Sequence, residues 1–500
     1  MKLSWLAGVV GAALVGACQT APPTARQPVA LAIENVTVID PETRRLLPHH
    51  SVYVDGKRIV AVLAADARSP YVPAKRVNGA GRYLIPGLMD MHVHLFLPEP
   101  AEPSLNLLLA NGVTGIREMS GDCWALAGVT AGCIADYKAL QARIASGETL
   151  GPEILRLAST MVMGPANVQV PEGVDPFIAP ANAEQGRRLA RYLAGRGADL
   201  IKTHDTIPRD AFYALLDEAR KLRIEVSGHV PFGAGSLGAA RRGYGSIEHA
   251  RDLLYDCSRY GAEYRQATSD FADRKPGATR PPNLVRLRNT VEEYDPKLCA
   301  AFLRELARTG VYYVPTHVTR EMEARANEAA YRSDPRRKYI LPRRNRLWEA
   351  DLDQTAAAPP EERQALARFF GHGMEVTRMA WRAGVPIMAG TDSSDTMIVP
   401  GFSLHRELGL LRRAGLPPMD VLRAATTVPA RYLKRSASLG GIGTGKEADL
   451  VLLDADPLQD IANTQFIRAV IADGRLYDRA ALDALLSTVE RAAAAPPAVP

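Results

Sequence analysis

Cysteine is scarce in this chain, with five residues in 500 and no Cys-x-x-Cys pair, so a zinc site built from thiolates is not expected. Aromatic residues make up only 6%, no basic run is interleaved with them, and a formal net charge of +6 is a small excess at this length. Nothing there forms the cationic footprint that nucleic acid requires, and no nucleic-acid partner is expected. Beyond the N-terminus no run is apolar enough to cross a bilayer. What remains is ordinary globular composition, 47% hydrophobic and 23% charged, in a chain long enough for a large core or several domains.

The N-terminus has a different character. Met1-Lys2 leads into an apolar run from Leu3 to Ala17, too short to span as a mature helix and shaped like a secretory signal. It ends Leu14-Val15-Gly16-Ala17-Cys18, which resembles a bacterial lipobox. The resemblance implies cleavage before Cys18 and a lipid on that residue; a plain signal with a nearby cysteine is the alternative. Gln19, in place of Asp, suits outer-membrane sorting. The expected address is exported and lipid-anchored, at the outer-membrane or periplasmic face, with residues 1–17 as signal peptide and 18–29 as a lipidated tether. Disulfides are permitted there. Cys123 with Cys133 and Cys257 with Cys299 are possible pairs, and isolated buried thiols are the other reading.

Two strand-rich blocks flank the chain. LAIENVTVID and SVYVDGKRIVAV alternate apolar and polar residues around Asp55-Gly56, and near the other end ADLVLLD and AVIADGRLYD do so around Asp473-Gly474. Such steps between alternating runs predict hairpins. Residues 30–80 and 436–485 are therefore expected to form one small β-sandwich domain, with 486–500 a disordered Ala/Pro-rich tail. Between them, residues 81–435 show eight short apolar strands, most followed by an amphipathic helical stretch. That alternation predicts an α/β fold, a (β/α)8 TIM-type barrel. Two charged segments, roughly 256–296 and 319–363, read as insertions over the strand ends.

The chemistry collects at those ends. Strand 1 ends His92-Val93-His94, and residues two apart on a strand point the same way, so both imidazoles can meet one ion. Strand 4 carries Lys202 with His204 two residues on; strand 5 ends in His229, strand 6 in Glu248-His249 and strand 8 in Thr391-Asp392. The chain holds only ten histidines, and random placement would not gather so many there.

The run Pro86-Gly87-Leu88-Met89-Asp90-Met91-His92-Val93-His94, followed in order by Lys202, His229, Ser246-Ile247-Glu248-His249 and Ala389-Gly390-Thr391-Asp392, resembles the metal motifs of the amidohydrolase superfamily. The stretches LHRELGLLRRAGLPPMDVLRAATTVPA and GTGKEADLVLLDADP resemble its branch of imidazolonepropionase-like proteins and Xaa-Pro dipeptidases. The resemblance implies two divalent ions, zinc suiting the ligands. His92, His94 and Asp392 would hold one, His229 and His249 the other, and Lys202, carbamylated, would bridge them. Metal lowers the pKa of bound water to about 7, and Asp392 would shuttle the proton to the leaving amine.

His204 and His317 are candidate substrate contacts, each with lining of the entrance as the bland alternative. Arg117 reads as an internal ion pair with Glu118 or another acid, His405 as a packing residue, and His372 as part of a Gly-rich turn. Glu248 is either a partner fixing an imidazole tautomer or, pointing away on its strand, a structural residue. The expected activity is hydrolysis of an amide C–N bond in peptides or N-acyl amino acids, dipeptidase- or carboxypeptidase-like. A lactonase, cyclic-amide hydrolase or detoxifying amidase, and a catalytically silent lipid-anchored binding protein, are the competing readings. The expected partners are a small-molecule or peptide substrate and the membrane through its lipid; oligomeric state is left open.

Overall fold

The computed structural model describes residues 26–95, 100–121, 133–170 and 175–495. The leader, Cys18, Cys123 and the last five residues lie outside them.

The terminal blocks supply β1 (Gln27–Asp40), β2 (Arg45–Asp55), β3 (Arg58–Ala64), β4 (Tyr71–Asn78) and β5 (Tyr83–Pro86). The middle supplies β6 (Leu88–Val93), β7 (Val113–Glu118), β8 (Glu153–Leu157), β9 (Leu200–Thr203), β10 (Glu225–Gly228), β11 (Ser246–Glu248) and β12 (Tyr312–Val314). From the C-terminal block come β13 (Leu450–Leu453), β14 (Ile467–Ala472) and β15 (Arg475–Asp478).

Both ends of the chain do meet. They form one continuous sheet in the order β15-β14-β13-β5-β1-β2-β3, with β4 also on β1, rather than two separately bonded layers. The cause is β1, whose 14 residues and register shifts let it pair with β4 along its first half and β5 near its end. The two Asp-Gly turns pack on each other: a Cβ on Gly474 would lie 1.8 Å from the Gly56 carbonyl oxygen, so only glycine fits. Apolar residues of β1 and β13, among them Ile33, Val36, Val38, Leu450 and Leu452, share one buried cluster.

Two boundary expectations are corrected. Gln27–Val29, assigned to the tether, already pair with Tyr71–Pro73 of β4. Residues 486–494, assigned to a disordered tail, continue the helix Arg479–Ala494, capped by the Asp478 carboxylate and buried at Leu482, Val489 and Ala493. Alanine reads as low complexity but is the strongest helix former, and the apolar spacing supplies a face to bury.

Strands β6 to β8 and β9 to β12 form two parallel sheets. Isolated parallel bridges join them: Ala158 to Leu200, Tyr313 to Ile387, and Ser393 back to Val93. Parallel pairing thus passes through all eight segments read from the sequence, and the C-terminal ends share one face. The eighth, 385–393, is held by bridges and loop hydrogen bonds rather than a regular strand. Helices such as Arg209–Leu222 and Phe402–Ala414 cover the outside. The insertion after β11 carries the helices Gly261–Ala272 and Asn283–Glu292 and is closed by a Cys257–Cys299 disulfide. His372 lies inside the helix Pro360–Ala383, not in a turn, because Gly373 is used there for close packing on Ala250.

Candidate metal centre

Strand β6 and the residue that follows it alternate Met89, Met91 and Val93 with Asp90, His92 and His94, so the polar set faces one side. Asp90 is fully buried and accepts from the Thr391 hydroxyl (2.7 Å) and amide (3.0 Å), which ties β6 to the segment bearing Asp392. Burial pushes the Asp90 carboxyl up to about 7.

His92 and His94 converge on Asp392. Their Nε2 atoms lie 3.4 and 3.0 Å from Asp392 Oδ1, while Asp392 Oδ2 is 3.7 Å from His249 Nδ1. Each imidazole is oriented from behind: His92 Nδ1 is 2.8 Å from Glu248 Oε2, His94 Nδ1 2.8 Å from Ser120 Oγ, and His249 Nδ1 2.7 Å from Thr316 Oγ1. Lys202 Nζ lies 3.0 Å from His92 Nε2. Glu248 only accepts, so the His92 proton resides on Nδ1 and the Nε2 lone pair faces the cluster.

Electrostatics favour ligand forms. Burial, then the nearby Lys202 charge, lowers His92 to about 4, and burial drops His229 and His249 well below the usual histidine range, so all three are neutral near pH 7. Burial opposes the Asp392 charge, but the surrounding imidazoles outweigh it and hold the carboxyl well below its ordinary value. Burial lowers Lys202 to about 8, against the pull of Glu248 and Asp392. A neutral His92, the His94 imidazole, an ionised carboxylate and a readily deprotonated amine, with the His92, His94 and Asp392 donor atoms within 4.8 Å of one another, fit a divalent cation.

His229 sits beside both His249 and His204, with ring centroids 4.6 and 4.1 Å away. Its Nδ1 accepts from Arg251, and its donor atoms group with those of His204 and Asp205 rather than with the first trio. Asp205, unnoticed in the sequence, is buried, contacts His204 Nδ1, and is 3.3 Å from the Arg251 guanidinium.

Other expectations sort clearly. Arg117 is fully buried and its acid is Glu248 (2.7 Å), not Glu118; it also bonds Ser246 (2.8 Å), Tyr432 (2.9 Å) and the Met91 carbonyl (2.6 Å). Glu248 does not point away: it sits between Arg117 and His92. The reason is His249, whose φ of +68° breaks strand alternation and lets both residues of the pair face inward. His317 does not line an entrance. Its ring is fully buried, with Nε2 2.9 Å from Thr377 Oγ1 of the helix Pro360–Ala383. Because Thr316 is left-handed (φ +44°), the chain turns straight from β12 into the helix His317–Arg325 and carries the imidazole against that neighbour. His405 packs as expected, bonded to Thr464 (2.9 Å) and the Asn111 carbonyl (3.0 Å).

Comparison with known proteins bears on the fold and the family. An ochratoxinase from Aspergillus niger is 23% identical over 465 residues, covering 84% of this chain and 81% of that protein. A solved Xaa-Pro dipeptidase with bound methionine matches at a TM-score of 0.61 and 21% identity, over 90% of this chain and 99% of that one. A bottromycin amidohydrolase matches at 0.68 and 22%, over 92% and 90%. These structural likenesses carry the TIM-barrel-type fold with its accompanying sheet domain. The family model described as "Amidohydrolase family" matches residues 197–477, more than half of the chain and including Lys202, His229, His249 and Asp392, and this chain belongs to that family.

Proposed function

We propose that the protein hydrolyses amide C–N bonds in a metal-dependent reaction on a closed (β/α)8 barrel, acting as a dipeptidase or carboxypeptidase on peptides or N-acyl amino acids. The observation that carries this reading is the convergence of the His92 and His94 Nε2 atoms on Asp392 Oδ1, with Lys202 Nζ alongside. His92, His94 and Asp392 would hold one ion, with zinc the best match to these ligands, and His229 and His249 would hold a second once His229 Nδ1 gives up Arg251, whose donation leaves the proton of the neutral ring on Nε2. Lys202 would bridge them after its free amine adds carbon dioxide and loses a proton as a carbamate.

Bound divalent metal lowers the pKa of water to about 7 and polarises a substrate carbonyl. The chain's own residues do the rest. Glu248, Ser120 and Thr316 fix the three imidazoles. Asp392, ionised and 15% exposed at its side chain, would accept a proton from the attacking water and deliver it to the departing nitrogen. We further read Cys18 as the lipidated first residue of an exported protein.

Metal content per chain by elemental analysis, with intact mass for a carbamate, tests the proposal. About two ions per chain with chelator-sensitive hydrolysis is expected; one ion would leave Lys202 unmodified, and none after reconstitution would overturn the reading. Asp392→Asn should keep much of the metal and lose about a hundredfold or more in turnover. Turnover near that of the unaltered enzyme would refute the assigned proton transfer.

A further inference from the structure

A cavity beside the sheet domain lies away from the metal cluster. It has a volume of about 390 Å³ and is lined by Thr114 and Glu153, which stand at the starts of β7 and β8, whereas the cluster sits at the strands' C-terminal ends. Its roof comes from the helix Ile134–Ser146 and the turn after it, and its floor from the β14–β15 hairpin.

Most charges on its wall cancel. Lys57 pairs with Asp473 (2.7 Å), and Arg435 pairs with Glu153 (2.7 Å) and Glu447 (2.9 Å), the latter also 3.6 Å from Arg58. Two charges are left over among the described residues. Asp449 has no cation within ion-pair distance; its Oδ1 accepts only the Asp473 amide (2.8 Å). Arg475 has no carboxylate partner and lies over Gly147, where a Cβ would come 1.7 Å from the guanidinium. Thr149 adds a third feature: it lines the cavity, is 5% exposed, and its hydroxyl has no hydrogen-bond partner.

Register places the two leftover charges together. Leu450 pairs with Ile471 and Ala472 pairs with Arg475, so one residue further along Asp449 stands opposite Ala472. Asp449, Ala472 and Arg475 therefore form one row on one face of three adjacent strands, the outer two about 10 Å apart. Ala472 leaves room between an acid and a base. Ile144, Leu150, Ile154 and Tyr477 provide an apolar wall beside them. Burial and the acids Glu447, Glu153 and Asp473 raise the Asp449 carboxyl to about 7, a strain that an incoming ammonium relieves.

We propose that this cavity binds a free α-amino acid with an apolar side chain, its ammonium at Asp449, its carboxylate at Arg475, and its side chain against Ile144, Leu150 and Tyr477. The fork of the guanidinium suits a carboxylate, the Thr149 hydroxyl gains a partner, and the volume admits a side chain of leucine or phenylalanine size. The site stands independently of any chemistry at the metal cluster.

Isothermal titration of the purified full-length protein with L-leucine tests it, alongside isoamylamine, which lacks the carboxylate, and N-acetyl-leucine, which lacks the ammonium. Both analogues should bind at least about tenfold more weakly than leucine. Arg475→Gln and Asp449→Asn should each weaken leucine by a similar factor, while His94→Ala leaves it unchanged. Arg475 is exposed, so Arg475→Gln serves even if the Asp449 variant fails to fold. Absence of leucine binding would overturn the proposal, as would wild-type affinity in Arg475→Gln. Loss of binding in His94→Ala with retention in Arg475→Gln would assign the leucine to the metal cluster instead.

Discussion

Replacing Glu248 with Gln isolates the buried network behind the metal centre. Glu248 and Arg117 are both fully buried. Glu248 Oε1 takes the Arg117 guanidinium (2.7 Å) and the Ser246 hydroxyl, and Oε2 takes His92 Nδ1–H (2.8 Å), so every neighbour is a donor. An amide presents one acceptor and one donor, so its NH2 would face either His92 or the Arg117 and Ser246 pair. The guanidinium would also keep its charge with no carboxylate on it. Removing one partner of a buried ion pair costs about 3–5 kcal/mol. Against a typical total of about 5–15 kcal/mol, that is roughly a fifth or more of the stability. The His92 tautomer would be released as well, which should weaken metal binding by about 10–100-fold. Urea unfolding of Glu248→Gln, Arg117→Met and the double variant measures this directly. The double variant should recover much of the loss, since it removes the orphaned charge. A Glu248→Gln protein within about 0.5 kcal/mol of wild type would refute the reasoning.

Other outcomes follow from the same physics. Burial raises the Glu407 carboxyl from 4.5 to about 8, so the folded protein holds a proton that the unfolded chain has released. Stability should therefore fall as pH rises from about 4.5 to about 8, and Glu407→Gln should flatten that slope; an unchanged slope of Tm against pH would contradict the assignment. The Cys257–Cys299 bridge closes a loop of 42 residues, and Cys257→Ser should cost about 4 kcal/mol in urea unfolding. Free thiols at both positions in non-reducing mass mapping would remove the basis for that figure. Cys18→Ala should move the protein from the membrane fraction to the soluble one, and continued membrane fractionation would refute lipidation at this residue.

The sequence made much of the first trio legible because its spacing is local: His92 and His94 share a strand face, and Asp392 ends a run of strand character. Lys202, His229 and His249 could be placed on one barrel face for the same reason. What strict strand alternation could not reveal is where it fails. Positive φ at His249, Thr316 and Asp392 turns consecutive side chains toward the same side, which brings Glu248 into the network and takes His317 out of the entrance. Asp205 was hidden for a related reason, since it follows His204 beyond the end of β9. The pairing of Cys257 with Cys299 was one of two readings and is present; the Cys123–Cys133 pairing lies outside the described residues. The C-terminal helix was misjudged because composition was weighed above periodicity.

The sheet shared by the two ends of the chain constrains the order in which the protein can be made. Strand β5 has β1 on one side and β13 on the other, and β13 lies more than 360 residues further along. During synthesis from the N-terminus, β1 to β5 emerge early, yet one edge of β5 has no partner until about nine-tenths of the chain has been made. Until then its backbone N–H and C=O groups offer a template to other chains. A nascent or C-terminally truncated protein would therefore be prone to strand-edge association, even with every metal ligand present. The strand that covers this edge, Leu450–Leu453, carries none of the proposed metal ligands.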